Sequence, residues 1–301
     1  MSQNERNIVL DLNLEILTAA TAAEFVNGIF DYLLYQRRQI PFVYKTYKYF
    51  IEKWSEAVHE EQEETQKSFA HHQLKQHRSK ATATKESISA IRELIRQAFK
   101  SSVVKKCRFL FGNSIFMATE SYTLHIPHNT IVRQQQFDLT ESRINQSLIQ
   151  LMACDELCAI FGSEMSTTNM FLELELQTDV DAPANGMGIF PKDVLSQLPR
   201  SCKNVHLHLV YDHGHQPVTA PELAIYQDLE KSTSEVDDLG APVTAPELTI
   251  YQDLEKSTSK VDELKVADTS KVEQEFSWWQ AEAIVRGFKT PNQKSFNLWS
   301  S

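Results

Sequence analysis

The stretch from Thr21 to Trp54 sets the terms for the rest of the chain, because it is the longest and most apolar helical pattern in the sequence. Thr21-Ala22-Ala23-Glu24 has the form of a capping box, a hydroxyl taking the amide three residues on while the glutamate reaches back. Behind it Ala22, Phe25, Val26, Ile29, Phe30, Leu33 and Leu34 recur at i, i+3, i+4 and i+7, which lays a broad apolar stripe along one side of a helix. Pro41 has no amide donor and biases Ile40 away from the helical region, so the helix breaks there. The stripe resumes with Val43, Tyr47, Phe50, Ile51 and Trp54, giving a long broken helix that needs a sheet or other helices to cover it.

The remaining elements are read in order. Ile8 to Leu14 alternates, with Leu10, Leu12 and Leu14 on one side, as a half-buried strand does. Residues 53–83 are rich in Glu, Gln, Lys and His and are expected to form a polar mobile loop, within which His71, His72 and His77 are ordinary loop histidines. A second amphipathic helix starts near Thr84 and carries Ile88, Ile91, Leu94, Ile95 and Phe99. The period then falls to two, and Cys107, Phe109 and Phe111 face Tyr122, Leu124 and Ile126 across a Gly112-Asn113-Ser114 turn as a β-hairpin. Asp138 or Thr140 caps a third helix bearing Leu148, Leu151, Met152, Leu157 and Phe161, ended by Gly162. Met170–Leu176, Asn204–Tyr211 and Phe276–Phe288 read as strands, and Gly186–Lys192 as a loop too irregular for one. The segregated helices and antiparallel strands argue α+β.

Charge is distributed unevenly. Residues 218–275 hold 14 Asp/Glu against 5 Lys/Arg, leaving 26 against 25 for the remainder of a chain whose net charge is -10. No basic field is available for nucleic acid, and no apolar run approaches a membrane span, so neither partner is expected. The polar N-terminus and four scattered cysteines, Cys107, Cys154, Cys158 and Cys202, fit a soluble intracellular protein with reduced thiols. Val218–Ser234 recurs 25 positions later at Val243–Ser259, nearly letter for letter. Two copies do not make a solenoid, and the acidic composition predicts a disordered insertion over 218–275.

Catalytic signatures are missing: there is no GxSxG elbow, no phosphate-binding GxxxxGK loop and no GxGxxG turn. One metal constellation remains. His206 and His208 share a strand face and run into Asp212, His213 and His215, which resembles the HxHxDH ligand run of metallo-β-lactamase-like hydrolases. Its spacing departs by two residues and no histidine follows His215. A zinc-dependent hydrolase using His206, His208, Asp212 and His213 is therefore the alternative reading.

Two motifs at opposite ends carry a family resemblance. Leu33–Pro41, with Tyr44 and Phe50, resembles the YQRQQLP stretch of the comet family, HORMA-like Mad-two-binding proteins of spindle checkpoint silencing. Phe276–Lys289, with Trp278-Trp279-Gln280-Ala281 and Gly287-Phe288, resembles that family's WFQAPVTFKGF segment. The resemblance covers residues 8–217 and 276–290. It implies a HORMA-like α+β domain over 8–290, an antiparallel sheet on three main helices with a C-terminal safety belt holding Trp278, Trp279, Gly287 and Phe288, and a tail over 291–301. It also implies a non-enzymatic adaptor with no cofactor, metal or catalytic residue. Such an adaptor binds closed Mad-two and presents it to a hexameric AAA+ ATPase of the Pch-two class for opening, in nucleus and cytoplasm and at spindle and kinetochores in mitosis. A HORMA adaptor of meiotic or repair assemblies is a further alternative.

Site residues carry over by position. The family's LRRLF run falls on Leu148-Ile149-Gln150-Leu151-Met152, so the Mad-two-like partner is expected on Gln36, Gln146, Leu148, Ile149, Gln150 and Met152. The FRPK stretch falls on Ile189-Phe190-Pro191-Lys192, which places the ATPase contact on Phe190, Pro191 and Lys192.

Overall fold

The computed structural model describes residues 5–12, 14, 16–60, 69–132, 141–177, 187–211, 275–291 and 298–299. One compact unit comprises Met1–Gly214 with Gln274–Ser301; a second, His215–Glu273, lies outside the described residues, and with it nearly all of the acidic repeat.

Helix α1 (Ala19–Gln36) occupies the centre, as its apolar pattern demands. Its cap sits one turn earlier than the sequence suggests: Thr18 Oγ1 accepts the Thr21 amide at 3.1 Å, and the two hydroxyls bond at 2.9 Å. Glu24 is thereby released from capping and pairs instead with Arg96 on another helix. Phe25, Val26, Ile29, Phe30, Leu33 and Leu34 are all buried, and Phe30 stacks on Phe109 of the sheet at 5.4 Å between ring centres. The break falls where Pro41 puts it, with Arg38 in the left-handed region at φ 55°. Helix α2 (Tyr44–Glu60) follows.

Helix α3 runs from Phe69 to Ser101, so much of the expected 53–83 loop is helical. Its first half holds few large apolar residues, Phe69 and Leu74, which hid it, yet Ala81 is fully buried because its small side chain lets α2 approach. There the Tyr47 hydroxyl donates to the Ala81 carbonyl at 3.0 Å. Burial drives that phenol's pKa well above its ordinary value. The third helix is two pieces, α4 (Glu141–Met152) and α5 (Asp155–Phe161), interrupted at Ala153-Cys154.

Eight strands among the described residues form one sheet: β1 (Glu5–Asp11), β2 (Val104–Gly112), β3 (Ala118–His125), β4 (Asn169–Gln177), β5 (Ile189–Lys192), β6 (Lys203–Val210), β7 (Phe276–Ala281) and β8 (Val285–Arg286). The order is β1-β6-β3-β2-β4-β7-β5, with β8 also on β4. The expected hairpin is β2–β3, pairing Phe109 with Tyr122 and Cys107 with Leu124. The sheet is mixed rather than antiparallel, because β6 runs parallel to both β1 and β3. The chain returns to β3 only after α4, α5, β4 and β5, and a long crossover permits the parallel direction that a tight turn forbids.

Period two sorts β2, β3, β4 and β6 by face. Cys107, Phe109, Phe111, Tyr122, Leu124, Met170, Leu172, Leu174, Leu176, Val205 and Leu207 point to the helices and make the main core. On the reverse face Leu110, Ala118, Phe171 and Cys202 form a smaller one. Two further expectations change. Ile189–Lys192 is a strand despite its proline, because β5 is the sheet's last strand, where a missing amide costs little. Within the expected tail over 291–301, Leu298 is buried and Trp299 packs on the core. Of the belt residues, Trp279 packs against the core, whereas Trp278 lies on the reverse face under Lys106 and Arg108.

The architecture is α+β and HORMA-like, the sheet's inner face carrying the helices and the C-terminal strands β7 and β8 closing onto β4.

Candidate partner-docking face

Helix α4 crosses α1 at Gly28. A methyl at that position would stand 2.6 Å from Leu148 Cδ1, so the absent side chain is what admits Leu148. With Leu151 buried, helical spacing turns Asn145, Leu148 and Met152 towards α1 and leaves Gln146 and Gln150 exposed on the far side. Ile149 is 62% exposed and Met152 47%, a pair of apolar side chains without cover.

Between α4 and the helices α2 and α3 runs a groove of about 1080 Å³ floored by α1. Gln36, Leu148 and Met152 line it, with Tyr32, Tyr35 and Val43. The structure therefore brings together Gln36, Leu148 and Met152 out of the residues named from sequence; Ile149 borders Met152 on the α4 surface, and Gln146 and Gln150 lie outside the groove.

The groove wall opposite α4 is ionic. Arg96 Nε donates to Glu24 Oε1 at 2.5 Å, Arg92 reaches Glu24 at 3.7 Å, and Arg92 also bonds Asp31. Burial pushes the Asp31 carboxyl up to about 6 even though Arg92 opposes the shift. The Tyr44 ring lies under the Arg92 guanidinium at 5.2 Å, and its hydroxyl shares a 2.7 Å bond with Ser89. At the other end burial raises the Tyr32 phenol to about 12, with the Cys158 and Cys154 thiols adding to the shift.

A second groove of about 740 Å³ shares Tyr35 and Gln36 with the first and is walled by Glu164–Thr167 and Phe288–Thr290. Gln36 thus stands on the ridge between the two. The turn behind it is fixed from within. Arg37 is fully buried and donates to Glu120 at 2.7 Å, to the Ser163 carbonyl at 3.0 Å and to that of Phe161 at 3.4 Å. The Tyr122 hydroxyl donates to the other Glu120 oxygen at 2.7 Å, and Lys203 approaches at 3.4 Å. Gln39 is also buried: its side chain donates to the Arg37 carbonyl at 2.6 Å and accepts the Thr168 amide at 2.7 Å. Arg37 and Gln39 are thus internal ties, whereas Gln36 and Arg38 line the grooves, Arg38 pairing with the exposed Glu164.

On the β5 edge, Phe190 is 40% exposed and Pro191 is exposed. Lys192 differs, because its ammonium turns inward to bond the buried carboxylate of Glu173 and the Ser196 hydroxyl. Arg108 Nε donates to the same carboxylate at 2.7 Å and Arg108 Nη2 to the Ser196 carbonyl at 2.9 Å. Burial lowers the Arg108 pKa while Glu173 opposes the shift. The sequence assigned Lys192 outward; the buried carboxylate of Glu173, shared with Arg108, draws it in.

His206 and His208 do share the reverse face of β6, with His125 of β3 beside them. His125 Nε2 meets His206 Nδ1 at 3.0 Å and the His125 ring stacks on His208 at 4.2 Å, while Glu5 and Asn204 occupy His206 Nε2. Burial, the neighbouring imidazoles and Lys106 hold His125 down to about 4, and burial lowers His206 too. The rings bond one another instead of converging on a point, and among the described residues no group of three His, Cys, Asp or Glu could hold a metal ion. Asp212, His213 and His215 lie outside the described residues.

Sequence reasoning missed the Arg37–Glu120–Tyr122 and Arg108–Glu173–Lys192 networks. A charged residue in alternation, such as Glu120 or Glu173 within an apolar strand, was their available signal.

A family model described as p31comet, Mad1 and Cdc20-bound-Mad2 binding, matches residues 16–170, just over half of the chain. No curated protein matches it. The matched segment contains α1 to α5 and the β2–β3 hairpin, hence the groove wall, the ridge and Gly28.

Proposed function

The chain belongs to the p31comet family, and from that premise we propose that it is a non-enzymatic adaptor that binds closed Mad2. It presents Mad2 to a Pch-two-class AAA+ ATPase for conversion to the open form, so silencing the spindle assembly checkpoint. The observation that carries the reading is the ridge: Gln36, Leu148 and Met152, distant in sequence, line one open groove beside the exposed Ile149. An apolar pair with a polar border is the composition of an interface centre, where one anchor is worth about 2 kcal/mol or more.

The deciding experiment is titration of closed Mad2 with the wild-type chain and with the Gln36→Ala, Met152→Ala double variant. Binding is expected to be lost in the variant while the far-UV spectrum and melting temperature stay unchanged; undiminished affinity removes the ridge from the reading. Transfer to the ATPase is supported by the exposed Phe190 and Pro191 on the β5 edge, neither of which lines the ridge grooves. Such a role puts the protein in nucleus and cytoplasm and, in mitosis, at spindle and kinetochores, which imaging of a tagged chain tests.

A further inference from the structure

The C-terminal residues supply a contact that the docking reading does not use. Trp299 inserts into a box of aromatic rings at α2: Trp54 stacks on it at 4.9 Å and Phe42 meets it edge-on at 4.9 Å. Phe50 follows at 5.7 Å, Tyr47 at 5.9 Å and Phe288 at 6.2 Å. Its indole N–H donates to Thr290 Oγ1 at 3.1 Å, and the neighbouring Leu298 is 2% exposed. The Arg78 guanidinium lies over the Trp54 ring at 5.3 Å.

We propose that Leu298-Trp299 is a C-terminal latch, an aromatic plug that locks the strap from Phe276 to Thr290 onto the domain. β8 contributes two residues to the sheet, and beyond it the hold consists of the Gly287 amide on the Thr168 carbonyl at 2.9 Å and the Phe288 amide on the Gln39 carbonyl at 2.7 Å. Thr84 Oγ1 adds a bond to the Arg286 carbonyl at 2.9 Å. The buried side chains of Val285 and Phe288 add to this hold. Trp299 adds to it by touching Phe288 and Thr290, so that the strap cannot lift without removing an indole from its box. Trp299 itself is only partly buried, so release leaves the rest of the core intact. Phe288 and Thr290 also wall the second groove beside Gln36, and the plug therefore fixes the shape of that wall.

Amide hydrogen exchange on the full chain tests the latch without any partner. Trp299→Ala is expected to speed exchange at Gly287 and Phe288 on the order of tenfold or more. The β2–β4 amides should keep their rates, and Trp299→Phe should lie close to wild type. A synthetic peptide of residues 295–301 added to Trp299→Ala should slow Gly287 and Phe288 again. Unchanged exchange in Trp299→Ala, acceleration spread evenly over β2–β4, or no effect of the peptide would each overturn the proposal.

Discussion

The amide of Phe288 donates to the main-chain carbonyl of Gln39 at 2.7 Å, joining two segments that are 249 residues apart in sequence. Gly287 makes this possible: a Cβ there would stand 2.4 Å from Gln39 Oε1 and 3.0 Å from the Thr168 carbonyl oxygen, one of them a buried and bonded side chain and the other backbone. Neither can retreat. Gly287→Ala should therefore cost about 1–3 kcal/mol, as overpacking of a filled site does, read as a lower urea midpoint at unchanged slope.

Gly28→Ala tests the opposite situation. The atoms it meets are the end of the Leu148 side chain, which can rotate away, so the loss of stability should stay below that of Gly287→Ala. Displacing Leu148 moves α4 relative to Gln36, however, and closed Mad2 should bind more weakly. A variant with near wild-type melting and reduced affinity is the expected outcome; full affinity would separate α4 placement from docking.

Breaking the Arg37–Glu120 pair should be the most damaging single change near the ridge. Both side chains are almost wholly buried, and Arg37→Ala leaves Glu120 with the Tyr122 hydroxyl and the longer contact to Lys203. Removing one member of such a pair costs about 3–5 kcal/mol, because the desolvated charge remains. Chemical denaturation of Arg37→Ala measures it directly.

These contacts also explain what could be read from the sequence alone. The α1 stripe, the β2–β3 hairpin and the strands at Met170 and Val205 were legible because one-sided burial imposes a period on the chain. The start of α3 was not, since Ala81 and Thr84 hold that half through small-residue approach and hydrogen bonds, which leave no apolar periodicity. Nor was β5, whose partner β7 lies far along the chain, Phe190 pairing with Gln280. Of the candidate site, Gln36 and Met152 were reachable through the resemblance, whereas the inward turn of Lys192 depends on a buried Glu173 whose depth only the folded sheet defines.

Asp31 makes the fold pH-dependent in a definite direction. Its carboxyl titrates at about 6 in the folded chain against an ordinary value of 3.8, so between these values the folded state keeps a proton that the unfolded chain has lost. Stability from this group is present below about pH 4 and declines as pH rises through about 6, amounting to about 3 kcal/mol. Asp31→Asn removes this titration while Glu24 still faces Arg92. The variant should match wild type near pH 4 and melt progressively higher than wild type towards pH 7; parallel melting curves across that range would contradict it.

The β5 edge supplies the last test, and Lys192 is the wrong place to begin it. Because its ammonium neutralises Glu173 together with Arg108, Lys192→Ala lowers stability, and any loss of ATPase-driven Mad2 opening in that variant is ambiguous. Phe190 is exposed and outside that network, so Phe190→Ala should stay within about 0.5 kcal/mol of wild type in stability. If the ATPase grips this edge, Phe190→Ala combined with Pro191→Ala should retain closed-Mad2 binding and lose most of the stimulation of Mad2 opening. Lys192→Arg, which keeps the charge, should by contrast preserve both stability and stimulation. Full stimulation by the Phe190, Pro191 double variant would move the ATPase contact to another surface.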